Sequence, residues 1–328
     1  MKKTVLIFLA IALADSSASA GWLERYCAKH PSTRICISDA VPEPAPAPAP
    51  TPASSSAFLT EVQTIPYLSD ETATYVFQST AAGSIVYGGA CGNADKTRAV
   101  AGDNVITWTL AEGTYSDCTL RIESSNMLTI PTFKSTSKYP VVFVHGWKGR
   151  SSAWKSAKEY LIKQGWDSSL LIAKSITESN STLCGPKSAA QAVEVSEWVD
   201  DALEQFPGFD KVDLVGHSRG GSNIMRALWH GYIDKNSVRY VVTLAGANRS
   251  CEKYYPAIPS DETPGSISVS VYYSDGSPDY DKGVDYANTH IQGAYHENLW
   301  PLSHKEMKEA PTALKALENS LLGLSGSN

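Results

Sequence analysis

The stretch that most limits this chain is Val212-Asp213-Leu214-Val215-Gly216-His217-Ser218-Arg219-Gly220-Gly221. It reads as a short apolar strand, a tight turn centred on Ser218, and a helix from about Ser222 to Trp229. A chain that passes from strand to helix so quickly has no room for side chains two places either side of the turn's centre. Gly216 and Gly220 stand at those two places. Such a turn lifts the Ser218 hydroxyl clear of the sheet, where a base can take its proton. A serine is a weak nucleophile until a base does so. The Arg219 amide then faces the place where an oxyanion would form.

From Tyr139 onward strand and helix patterns alternate, as in a parallel sheet with helices on both faces. Val141 to Val144 is a fully apolar strand. Ser152 to Gln164 is an amphipathic helix with Trp154, Ala157, Leu161 and Ile162 on one side. Leu170 to Ile176 is a second strand, and Ala189 to Phe206 a helix with Val193, Trp198, Val199 and Leu203 inward. Strands follow at Val238 to Ala245 and Ile267 to Tyr273, with Asn288 to Gly293 as the last. Ser303 to Leu322 is a closing helix, capped by Ser303 with Glu306 three residues on.

The first half of the chain differs in character. Lys2 and Lys3, the apolar run Val5 to Leu13 and the small residues Ala18-Ser19-Ala20 read as an export leader over 1–20. The run is far short of the ~20 residues that a membrane span requires, so no transmembrane segment is expected. The mature protein is expected to be secreted, periplasmic or on the cell surface. Export makes the six cysteines disulfide candidates, and nearest pairing gives Cys27–Cys36, Cys91–Cys118 and Cys184–Cys251. No ligand spacing suggests zinc, so neither metal nor cofactor is expected. A net charge of −6 carries no basic footprint for nucleic acid.

Residues 21–40 form a small cysteine-containing segment, and 41–57 a proline-rich linker, extended and semi-rigid, that holds two folded bodies apart. Over 58–138 short alternating runs recur at Thr74 to Gln78, Ser84 to Tyr87, Asn104 to Trp108, Cys118 to Ile122 and Met127 to Ile130. Glycine-bearing turns separate most of them, the pattern of an antiparallel sandwich.

Two sets of residues resemble known families. Ala82-Gly83-Ser84-Ile85-Val86-Tyr87-Gly88-Gly89-Ala90-Cys91, Gly102 to Thr107 and Gly113 to Cys118 resemble bacterial Ig-like modules. That implies an N-terminal all-β Ig-like sandwich domain over 58–138, with contact to a surface or polymer as its role. Val141-Val142-Phe143-Val144-His145-Gly146-Trp147-Lys148-Gly149, Val212 to Gly221 and Val241 to Arg249 resemble the class 2 lipases, of the small Bacillus lipase A type. This second resemblance covers 139–328. It implies an α/β-hydrolase with a mostly parallel sheet and no cofactor. It also implies hydrolysis of carboxylic esters, acylglycerols or simpler esters, by a Ser-His-Asp triad through an acyl-enzyme. An amidase, thioesterase or polyester hydrolase of the same fold, or an inactive surface-binding protein, are the other readings. Arg219 stands where those lipases usually carry methionine, which alters the outer polarity of the site and leaves the amide in place.

In that fold the triad runs Ser, acid, His along the chain. The order sets aside His30, His145 and His217, and His230 belongs to the helix after the turn. His290, His296 and His304 remain. His296 is preferred, because it stands on a loop beyond the expected last strand. The acid stands just past the strand ending at Tyr273. Asp275 is favoured, with Asp279 and Asp281 open. The second oxyanion donor is the Trp147 amide, on the loop after the first strand, beside that of Arg219; the Trp147 indole is expected to wall the acyl pocket.

Overall fold

A computed structural model describes residues 58–62, 65–69, 73–123, 125–181, 186–249, 263–264, 267–274 and 289–325. All of them lie in one compact unit, 49–328. The leader, the linker, the Cys27–Cys36 and Cys184–Cys251 pairings, and Asp275, Asp279 and Asp281 lie outside the described residues.

Ten short strands precede the parallel sheet. They are β1 (Leu59–Glu61), β2 (Tyr67–Ser69), β3 (Ala73–Ser79), β4 (Gly83–Gly88), β5 (Arg98–Ala99), β6 (Gly102–Trp108), β7 (Gly113–Tyr115), β8 (Thr119–Ile122), β9 (Leu128–Thr129) and β10 (Phe133–Thr136). They form sheets ordered β1-β3-β6, β5-β4-β8-β9 and β2-β10-β7. All pairs are antiparallel except β2 with β10. Period-two alternation buries Ala73, Tyr75 and Phe77 from β3 and Ile106 and Trp108 from β6 in one core with Leu120, Ile122 and Phe133. The expected Cys91–Cys118 disulfide is present at the edge of this core.

The second body is one sheet of six parallel strands in the order β12-β11-β13-β14-β15-β16. These are β11 (Val141–Val144), β12 (Leu171–Ala173), β13 (Val212–His217), β14 (Val238–Leu244), β15 (Ser268–Tyr273) and β16 (Tyr295–Asn298). The helices are α1 (Lys155–Lys163), α2 (Pro186–Gln205), α3 (Arg219–Trp229) and α4 (Pro311–Leu321). Strands covered on both faces are mostly apolar, and β11 and β13 are buried at every position, with Asp213 and His217 as the polar residues of β13. Val142, Val144, Leu214 and Val271 pack against α2 and α3. Val141, Phe143, Val215 and Tyr272 pack with α1 and α4 on the opposite face. Among the described residues no helix is long and apolar enough to cross a membrane.

Three expectations need correction. Ile162 and Val193, expected to face inward, are exposed, while Ala157, Leu161, Ala192 and Val195 are buried. The last strand is β16, not Asn288 to Gly293. It pairs with β15 alone and reads Tyr-His-Glu-Asn, so an edge position frees it from the apolar alternation by which strands are recognised. The Ser303–Glu306 capping box does form, with Glu306 Oε2 accepting from the Ser303 amide at 2.8 Å. It opens only the short 3₁₀ turn Glu306–Lys308. The α-helix waits for Pro311 at its first turn, because a residue before proline is held extended, as Ala310 is at φ −70°, ψ 142°.

The two bodies are in contact where the sheet strands begin. Ser69 Oγ and Tyr139 Oη share a hydrogen bond of 2.7 Å, and the Ser69 amide donates to the Gly208 carbonyl at 3.2 Å. The Tyr67 ring meets Phe206 edge-on, and its hydroxyl meets Ser169 Oγ at 2.9 Å. Arg239 reaches from the start of β14 to the Ser137 carbonyl and forks onto Asp213, whose side chain is fully buried. The β body therefore caps the amino ends of the parallel strands.

Candidate active site

The chain runs from β11 outward to β12, then crosses back to lay β13 on the other flank of β11. Loops leaving β11 and β13 at their carboxyl ends diverge at such a reversal and leave a crevice between them. Ser218 stands in that crevice, between the last residue of β13 and the first of α3. Its backbone is at φ 55°, ψ −125°, a conformation rare for a residue with a side chain. The Leu244 carbonyl accepts from the Ser218 amide at 3.2 Å, and the Ser218 carbonyl accepts from Gly221 and Ala247 at 3.0 and 2.8 Å. A methyl on Gly220 would overlap the Val144 carbonyl oxygen, so the expectation of glycine there has a physical basis.

Two segments meet beside this serine, the start of α3 and the loop after β11. Arg219 opens α3, and the start of a helix favours an anion. Its guanidinium is turned away and buried, with hydrogen bonds to the carbonyl and hydroxyl of Ser181 at 2.7 and 3.1 Å. The expected change in outer polarity is thus absent: a buried arginine braces the segment before α2. Burial, with Arg226 nearby, lowers its pKa.

Trp147 follows Gly146 on the loop after β11. Gly146 lies so close to Ser218 that an added methyl would stand 2.8 Å from the serine Cβ. The Trp147 indole is 57% exposed, with Lys148 Nζ 4.2 Å from its ring centre, so it is an open rim and not a buried wall. His145 fixes this loop. Its Nε2 accepts from the Ile176 amide at 2.9 Å, so Nδ1 carries the proton and donates to the Gly146 carbonyl at 2.8 Å. The Gly149 amide donates to the same carbonyl at 3.0 Å. In a trans peptide the C=O and N–H point in opposite directions, so two donors on the Gly146 oxygen aim the Trp147 N–H the other way. Burial lowers the pKa of His145 and keeps it neutral in this role.

The candidate bases are placed differently from expectation. His296 lies inside β16, paired with Val271, and not on a loop beyond the last strand. Its Nε2 accepts from the Ile291 amide at 3.1 Å, and its ring stacks on His290 with centres 4.4 Å apart. Burial, then the neighbouring His290, lowers its pKa. Three strand spacings separate β16 from β13, about 14 Å at ~4.8 Å each. His304 lies on the loop between β16 and α4, and that loop returns to β13, the strand before Ser218. The His304 carbonyl is 2.8 Å from Nε2 of His217, the residue before Ser218, and the two rings are 4.6 Å apart. The nearest sign in the sequence was the Ser303–Glu306 box, which marks a loop end at His304; the polar edge strand before it hid that meaning.

Residues 138–249 match the family model described as lipase (class 2). The matched span runs through β11, Ser218 and the end of β14, and stops before every candidate acid and His290, His296 and His304. Solved structures similar to this chain include a lipase-esterase related protein from Clostridium acetobutylicum, at 14% identity and TM-score 0.39, over 56% of this chain and 96% of that one. Lipase B from Aspergillus fumigatus has 12% identity and TM-score 0.45, over 56% of this chain and 52% of its own. An esterase from Exiguobacterium antarcticum has 12% identity and TM-score 0.41, over 56% and 91%. Residues 138–249 are thus similar to the class 2 lipases, and they lie within a six-stranded parallel sheet of the α/β class.

Proposed function

We propose that this protein hydrolyses carboxylic esters through an acyl-enzyme, with Ser218 as nucleophile and His304, in place of His296, as base. The observation that carries the reading is the strained Ser218 turn, with the Gly146 loop against it and the start of α3 behind it. Ser218 Oγ attacks the ester carbonyl carbon while the histidine takes its proton. The amides of Trp147 and Arg219 hold the oxyanion. The C–O bond to the alcohol then breaks, and the histidine returns the proton to the leaving oxygen. Water, activated by the same histidine, releases the acid and restores the serine.

Two observations favour His304. A base on the loop after the last strand can fold back to the serine, and the His304 carbonyl meets His217. A His296 side chain inside β16 would have to cross about 14 Å, beyond the reach of an imidazole, and its Nε2 already accepts from Ile291. For the acid, β15 ends at Tyr273, so Asp275 comes two residues past the strand; Asp279 and Asp281 stay open. The substrates are acylglycerols or simpler esters, met outside the cytoplasm after the leader is removed.

The test is initial rates on p-nitrophenyl esters from C2 to C16 with wild type, Ser218→Ala, His304→Asn and His296→Asn. We expect ester turnover to fall by about 10⁵-fold or more in Ser218→Ala and His304→Asn. His296→Asn should stay within about fivefold of wild type. Full turnover in Ser218→Ala refutes the reading; collapse in His296→Asn alone returns the base to His296.

A further inference from the structure

The His217 ring is buried, and its Nε2 is taken up by the His304 carbonyl. A carbonyl oxygen only accepts, so the 2.8 Å contact to His304 requires the proton on Nε2 of His217. The ring is wedged between the Trp154 edge at 6.5 Å and the His304 ring at 4.6 Å. Around it stand His304, Lys308 and His145 as titratable neighbours. Lys308 is itself paired with Glu309 at 3.0 Å.

The loop that carries His304 is fastened at both ends. At its start the Leu299 amide donates to the Tyr273 carbonyl at 2.7 Å. At its end stand the Ser303–Glu306 box and the fully buried Met307. Between these fastenings, His217 ties the His304 backbone to the strand that carries the nucleophile. The carbonyl and the Cβ of a residue share its Cα, so holding the carbonyl restricts where the imidazole can stand.

We propose that His217 is a positioning residue for the base: its Nε2–H holds the His304 carbonyl and thereby sets the imidazole of His304 against Ser218. This rests on the reading of His304 as the base. Displacement of a reacting group by ~1 Å costs on the order of 100-fold in rate, so one backbone tie of this kind is enough to matter.

The test compares His217→Gln with His217→Asn in the full chain. A glutamine amide reaches the place of Nε2 and can donate to the His304 carbonyl; an asparagine amide stops at the place of Nδ1 and cannot. We expect His217→Asn to lose about tenfold or more in kcat with KM within about twofold, and His217→Gln to recover most of the loss. Equal kcat in the two variants, or a loss carried by KM alone, overturns the proposal. His304→Asn measured alongside separates the two readings: if it retains turnover, the assignment of the base fails whatever His217 does. If neither His217 variant folds, imidazole ¹⁵N shifts of the wild-type protein decide. An Nε2-protonated His217 at pH 7 is expected, and a neutral ring with its proton on Nδ1 refutes the proposal.

Discussion

Gly208→Ala should destabilise the protein without touching its chemistry. Gly208 lies where the β body meets the parallel sheet, after α2 and before β13. A methyl there would overlap the Tyr67 carbonyl oxygen and stand 2.9 Å from Ile65 Cγ2. The first of these atoms is backbone, so the clash is relieved only by moving the start of β2 away from the parallel sheet. Such overpacking costs about 1–3 kcal/mol. The move also breaks the Ser69 amide bond to the Gly208 carbonyl, at 3.2 Å, worth about 1 kcal/mol. A total of about 2–4 kcal/mol in a unit of this size lowers Tm by about 3–7 °C. The site lies at the other end of the strands, about 13 Å away along a four-residue strand such as β11. Hence kcat on p-nitrophenyl butyrate at 25 °C should stay within about twofold. Differential scanning calorimetry with matched initial rates is the assay. A Tm within about 2 °C of wild type would show that the junction is not a packed interface. The same junction changes what is expected of residues 139–328 made alone. Without the β body, Tyr139, Phe206 and their neighbours lose part of their cover, so the fragment should unfold at a lower temperature than the full chain.

Other outcomes follow from buried groups. Asp213→Ala leaves the Arg239 guanidinium without its buried carboxylate partner and should cost about 3–5 kcal/mol, read by urea unfolding; a loss under about 1 kcal/mol refutes that role. Removing the Cys91–Cys118 bridge, which spans 27 residues, by a double Cys→Ala change should cost about 3–4 kcal/mol with kcat unchanged. Burial pushes the His217 imidazole down to about 3, with His304 second among the causes, so the folded state stays neutral where the unfolded chain takes up a proton. Stability should therefore be full above pH ~6.5 and fall as pH drops from there toward 3, by up to about 1 kcal/mol per unit, with His145 acting in the same direction. A Tm that is flat from pH 7 to 5 would contradict this.

The nucleophile turn was legible because its requirements are local. A strand that becomes a helix around Ser218 needs glycine where backbones nearly touch, and Gly220 against Val144 is that contact. The apolar runs Val141–Val144, Leu214–Val215 and Val241–Val242 were legible for a related reason: burial on both faces leaves few polar positions to blur the pattern. In the same way, alternation marked β3, β4, β6 and β8. Elements that rely on neighbours left weaker marks. β2, β7 and β10 hold only three or four residues each and exist through pairing with one another. β16 is an edge strand of polar residues, and placing it too early put His296 on a loop that begins only after Asn298.

What the chain alone determined, then, was the tight strand-to-helix turn at Ser218 and the class of sheet that presents it, because both are set by residues adjacent in sequence. Only the tertiary structure decided which histidine stands near β13 and Ser218, that His145 and His217 hold backbone carbonyls, and that the β body caps the amino ends of the sheet. Each of those depends on groups tens of residues apart, as with His217 and the His304 carbonyl, where a hydrogen bond is made by folding and leaves no period or spacing in the sequence.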